Sequence, residues 1–111
     1  MANTQAMCTS FKVDLLNAVH AFNATGTPAH TVATADTFKA ALYLASATVN
    51  AATTAYSVTN EVSGSGYSAG GVVVTFGTAP TATSTTAFIT PSASITYTSV
   101  TLTTAFDCVL I

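Results

Sequence analysis

Two lysines (Lys12, Lys39) and four acids (Asp14, Asp36, Glu61, Asp107) are all the formal charge that 111 residues carry. An ordinary soluble domain has about a quarter of its residues charged; here the share is 5%. A domain this small still exposes a large part of its surface after folding. That surface must therefore be built from hydroxyls, amides and methyls. Thr and Ala each make up roughly a fifth of the chain, well above ordinary usage. Surfaces with few charges and low net charge tend to associate. The expectation is a chain that sits against copies of itself or against a larger assembly.

The same deficit excludes several roles. Binding nucleic acid requires a field of Lys and Arg that displaces counterions, and two lysines do not make one. Disorder by composition needs low hydrophobicity and high net charge, whereas half of this chain is hydrophobic. No apolar run approaches the length needed to span a bilayer. Met1 to Ala6 lacks a basic stretch and an apolar run, so it does not read as a secretory signal.

The length suits a single domain over 1–111. Residues 1–8 read as a polar arm. In 9–22, Phe11, Leu15, Val19 and Phe22 recur at helical spacing with Ala18 alongside, which predicts an amphipathic helix. Thr9 or Ser10 is the expected N-cap, with Asp14 near the positive end of the helix dipole. Asn23, Gly26 and Pro28 are expected to end it.

From 38 to 111 the pattern is β-rich. In 38–45, Phe38, Ala40, Leu42 and Leu44 alternate with Lys39, Ala41, Tyr43 and Ala45. Four glycines make 61–71 a tightly bent loop, and Val72 to Phe76 follow with strong β preference. Residues 85–90 read as a weak strand. Residues 93–104 alternate, with a parity change that predicts a bulge or turn near Thr98-Ser99. Residues 105–111 read as a last strand, ending on Val109-Leu110-Ile111 without a polar cap. Either a neighbouring subunit covers that strand, or this chain is shorter than the natural product.

The fold expected is α+β: one N-terminal amphipathic helix packed on a mostly antiparallel β-sheet or small β-sandwich. Phe11, Leu15, Val19 and Phe22 should face the sheet. The sheet core should include Phe38, Leu42, Leu44, Val72, Val74, Ile95, Tyr97, Phe106, Cys108 and Leu110.

Signals of chemistry are weak. Gly64-Ser65-Gly66-Tyr67-Ser68-Ala69 matches a dinucleotide fingerprint in letters only, because a β-branched strand follows it and no helix offers a dipole. The four acids sit on separate elements and read as caps, turns or solvated edges. Cys8, His20, His30 and Cys108 have no zinc-ligand spacing. Cys8 and Cys108 read as buried thiols rather than a disulfide framework. Asn23-Ala24-Thr25 is a glycosylation pattern that arises easily by chance in a Thr-rich chain. No catalytic residue, metal, cofactor or small-molecule substrate is expected. The tyrosines and phenylalanines could form a sugar-stacking patch, but packing or interface roles fit better without Trp. Tyr43, Tyr56, Tyr67, Val109 and Ile111 are the candidate interface residues.

Three blocks carry a resemblance: Met7-Cys8-Thr9-Ser10-Phe11-Lys12, Phe38-Lys39-Ala40-Ala41-Leu42-Tyr43, and Asn60-Glu61-Val62-Ser63-Gly64-Ser65-Gly66-Tyr67-Ser68-Ala69-Gly70-Gly71. In this order they look like a family of small tailed-bacteriophage virion structural proteins. Members of that family usually continue beyond the Val109-Leu110-Ile111 strand, so the resemblance implies further C-terminal strands that are missing here. The resemblance implies location in the virion. It implies assembly as a homo-oligomer with the major capsid protein, as a head decoration (cement) protein, or with tail or neck proteins. It implies no catalytic residues. A host-surface carbohydrate-binding module is a lesser alternative.

Overall fold

A computed structural model describes residues 5–17, 19–22, 35–76 and 79–111. Its elements are α1 (Thr9–Leu16), β1 (Phe38–Tyr43), β2 (Gly64–Ser65), β3 (Val72–Val74), β4 (Thr81–Thr83), β5 (Thr86–Phe88), β6 (Thr101–Leu102) and β7 (Cys108–Leu110). One helix precedes a set of antiparallel strand pairs, so the chain is α+β as its pattern predicts.

β1 is the centre. It pairs antiparallel with β3 through Phe38↔Val74, Lys39↔Val73 and Ala40↔Val72. On its other edge it pairs with β7 through Ala41↔Leu110, Leu42↔Val109 and Tyr43↔Cys108. Ala40, Ala41, Leu42 and Tyr43 are all buried. Opposite faces of one strand are thus both covered, which antiparallel strands at a surface rarely manage. On one side Ala41 and Tyr43 pack with Ala47, with Val49, Cys108 and Leu110 against them. Side chains alternate along a strand, so Ala40 and Leu42 face the other way. Among the described residues, Val62 and Val74 are the remaining buried apolar side chains.

The helix departs from expectation in length and contact. It ends at Leu16, with Asn17 as C-cap, rather than running to 22. Its N-cap is Cys8, without a side-chain cap bond. Thr9 and Ser10 are used differently: the Thr9 N–H donates to the Ala51 carbonyl at 2.8 Å, and the Ser10 hydroxyl donates to the Thr53 carbonyl at 3.3 Å. These bonds hang the first turn on the 50–53 loop. No helical side chain is fully buried, and Leu15 and Val19 are exposed. Phe11 and Phe22 do reach the sheet, through Phe38. Phe22 stacks on Phe38 with ring centroids 4.4 Å apart, Phe11 meets Phe22 edge-on, and Phe76 closes the group edge-on to both Phe22 and Phe38. Such aromatic pairs stabilise beyond their buried area.

Two smaller ladders flank the central sheet. β2 pairs with β6 through Gly64↔Leu102 and Ser65↔Thr101. The turn expected near Thr98-Ser99 is present, with Ser99 at φ 53°. However, only Thr101–Leu102 of the expected 93–104 strand forms, and Ile95 is exposed. β4 and β5 form a hairpin with a two-residue turn at Ser84-Thr85. Every strand residue of this hairpin is exposed. Ser92 donates both its N–H and its hydroxyl to the Thr75 carbonyl, tying the base of the excursion. Of the expected sheet core, Leu42 and Val74 are buried; Phe38, Leu44, Val72, Tyr97, Cys108 and Leu110 are half-buried. Phe106 is exposed instead, because it precedes β7 and has no strand across from it.

Candidate functional site

The Glu61 carboxylate gathers three hydrogen bonds. Oε1 accepts the Tyr67 hydroxyl and the Gly70 N–H, each at 2.7 Å, and Oε2 accepts the Tyr56 hydroxyl at 2.5 Å. Hydrogen bonds to an ionised acceptor are shorter and stronger than neutral ones. Glu61 is carried into place by backbone pairing beside β1: Val62 N–H donates to Leu42 O, and Leu44 N–H donates to Asn60 O.

Those bonds also explain the glycine loop. The chain beside β1 pairs at 60–62, leaves, and returns as β3 opposite Phe38 to Ala40. Between departure and return, two phenols fill the ladder. Leu42 N–H donates to the Tyr67 hydroxyl at 2.9 Å, and the Tyr97 hydroxyl donates to the Ala40 carbonyl. The two rings stack, 6.1 Å apart. Backbone groups of a buried strand need partners, and here side chains supply them. Gly71 makes the return possible. Its φ is +72°, and a Cβ there would lie 1.6 Å from Ala40 O. No helix follows the loop, so the fingerprint-like letters serve as a strand-to-strand crossing.

The tyrosines are held in their neutral forms. The hydrogen bond to Glu61, followed by burial and the Glu61 charge, pushes Tyr56 up to about 12. Burial first, then the Glu61 bond, raises Tyr67 further. Burial also raises Tyr43 and Tyr97.

The five candidate interface residues therefore divide. Tyr43 is 2% exposed, packs in the core and donates its hydroxyl to Ser57 O, so it is not a surface residue. Tyr67 is half-buried with its hydroxyl committed on both sides. Tyr56 keeps 48% of its surface, with its hydroxyl tied to Glu61. Val109 and Ile111 are exposed, at 45% and 59%. Val109 lies opposite Leu42, whose N–H and C=O both point to the other edge of β1. Antiparallel alternation then turns the Val109 N–H and C=O outward, to an edge that no described strand covers. Phe106, half exposed, and Met7 lie near it along one groove with Phe11, Phe22 and Phe38. Tyr43 offers no exposed face, and the half-buried Tyr67 and Tyr97 rings stack on each other.

Sequence spacing missed one cluster. Asp14 and Asp36 meet at His20: Nε2 lies 3.6 Å from Asp14 Oδ2, and Nδ1 lies 3.3 Å from Asp36 Oδ2. Asp36 also accepts the Ala21 N–H, and the imidazole stacks on Phe11. The arrangement ties the segment after α1 to the entry of β1. Glu61 and Asp107 lie elsewhere. Among the described residues, no group of three His, Cys, Asp or Glu side chains is placed to hold a metal ion. His30 and the Asn23-Ala24-Thr25 pattern lie outside the described residues. No described helix is long and apolar enough to cross a membrane. No protein-family model, curated protein or solved structure matches this chain.

Proposed function

We propose that this protein is a structural component of a bacteriophage particle, a capsid decoration protein that binds the head lattice as a homo-oligomer. The observation that carries the reading is the pairing of a nearly uncharged exterior with exposed apolar side chains along an open strand edge. Val109, Ile111, Phe106 and Met7 sit there with little charge to solvate them. An open strand edge presents unpaired N–H and C=O groups to which another chain can pair. Repeated over a symmetric lattice, many modest contacts add up to strong binding without one tight site. The resemblance of the three sequence blocks to phage virion proteins supports the same reading.

The test is the copy number in purified particles of the phage that encodes the chain, read by quantitative mass spectrometry. Copies in proportion to the capsid lattice support decoration. A number matching a single ring at the neck or tail moves the protein there. Absence from particles overturns the proposal.

A further inference from the structure

We propose that Cys8 and Cys108 are a redox-active pair, and that their oxidation to a disulfide staples the N-terminal segment to β7. They are the two cysteines of the chain, near its opposite ends. Both are half-buried free thiols. The fold brings them to one groove of about 770 Å³, which Val49 and Asn50 also line. The Cys8 thiol lies 3.7 Å from the Asn50 carbonyl. Cys108 packs on the Ala41, Tyr43 and Ala47 cluster, and so does Val49, the residue next to Asn50. Both thiols thus border the groove that residues 49 and 50 line.

A disulfide needs its two Cα atoms within about 7 Å. Cys8 is the N-cap of α1, and its carbonyl accepts the Lys12 N–H at 3.2 Å, so the adjustment falls mainly on the two cysteine side chains. The Cys8 thiol would give up its weak contact with Asn50. The oxidant is a small disulfide of the glutathione class. The Cys8 thiolate attacks one of its sulfurs and expels one thiolate. The Cys108 thiolate then attacks Cys8 in the mixed disulfide and expels the second. Two protein thiols lose two electrons and two protons, and the oxidant leaves as two thiols. Burial pushes the Cys108 thiol up, so the closing step speeds up as pH rises.

The sequence makes the test simple. The chain has no arginine, and its two lysines are Lys12 and Lys39. Trypsin therefore separates Cys8 on peptide 1–12 from Cys108 on peptide 40–111. The full-length protein is incubated with oxidised glutathione, alkylated and digested without reductant. The expected result is a linked 1–12/40–111 pair from a species that runs as a single chain in non-reducing denaturing electrophoresis, with a higher melting temperature than the reduced protein. Cys8→Ser and Cys108→Ser should each remove the link and the rise in melting temperature. Both thiols recovered free or glutathionylated, or linked peptides found only in covalent dimers, would overturn the proposal. The result does not depend on whether the chain is a virion component.

Discussion

Tyr67 donates its phenolic proton to Glu61 across 2.7 Å while accepting the N–H of Leu42 at 2.9 Å. One hydroxyl thereby closes a gap in the central ladder and anchors the glycine loop. Replacing Tyr67 by Phe keeps the ring but leaves the Leu42 N–H and one carboxylate lone pair without a partner. Unsatisfied groups in such a setting cost about 1–3 kcal/mol. Tyr67→Phe is expected to lower unfolding free energy in urea by that amount. Tyr56→Phe, at an exposed position, should cost clearly less.

The raised tyrosines make stability fall at alkaline pH. In the unfolded chain a tyrosine loses its proton near 10.0, while Tyr56 in the fold holds it to about 12. The fold favours the neutral phenol, so this contribution is complete below about pH 10 and is lost as pH rises through 12. Melting temperature should decline across that window. Tyrosinate absorbance should rise later in the native protein than in the protein held in denaturant.

Gly70 and Gly71 should respond differently to alanine. Both have positive φ, at +87° and +72°, and a left-handed conformation costs an L-residue roughly 1–2 kcal/mol. At Gly70 the nearest atom to an added Cβ is the Tyr56 hydroxyl at 4.0 Å, so Gly70→Ala should show that cost alone. At Gly71 the Cβ would collide with the Ala40 backbone. Gly71→Ala is expected to destabilise far more, or to prevent folding, as read by denaturant titration.

The proposed assembly through the β7 edge carries its own prediction. Lysine on an edge strand blocks pairing with another strand. Val109→Lys and Ile111→Lys place that charge on exposed positions. Sedimentation should show a shift to monomer with little change in melting temperature. Val73→Lys, on an exposed position of β3, should leave association unchanged.

Much of the architecture is legible in order of residues. The scarcity of charge, the strand beginning at Phe38, the Val72–Val74 run, the glycine bend and the turn at Ser99 all follow from local preference. Backbone sterics and β-branching act over a few residues, so a sequence displays them directly. What residue order could not supply were partners far apart in the chain. The 3.6-residue spacing of Leu15 and Val19 suggested a buried helical face, yet the first turn is hung on Ala51 and Thr53 and the helix stops at Leu16. Alternation along β1 suggested one dry face, yet loop 47–49 and β7 cover the second, which places Tyr43 in the core. Tyr67 read as an interface aromatic until the fold set its hydroxyl against Leu42, and residue order gave no sign that Tyr97, expected in the core, would donate its hydroxyl to the Ala40 carbonyl. Periodicity reports which way a side chain points; only the tertiary structure decides what stands opposite, because that depends on segments brought together across tens of residues.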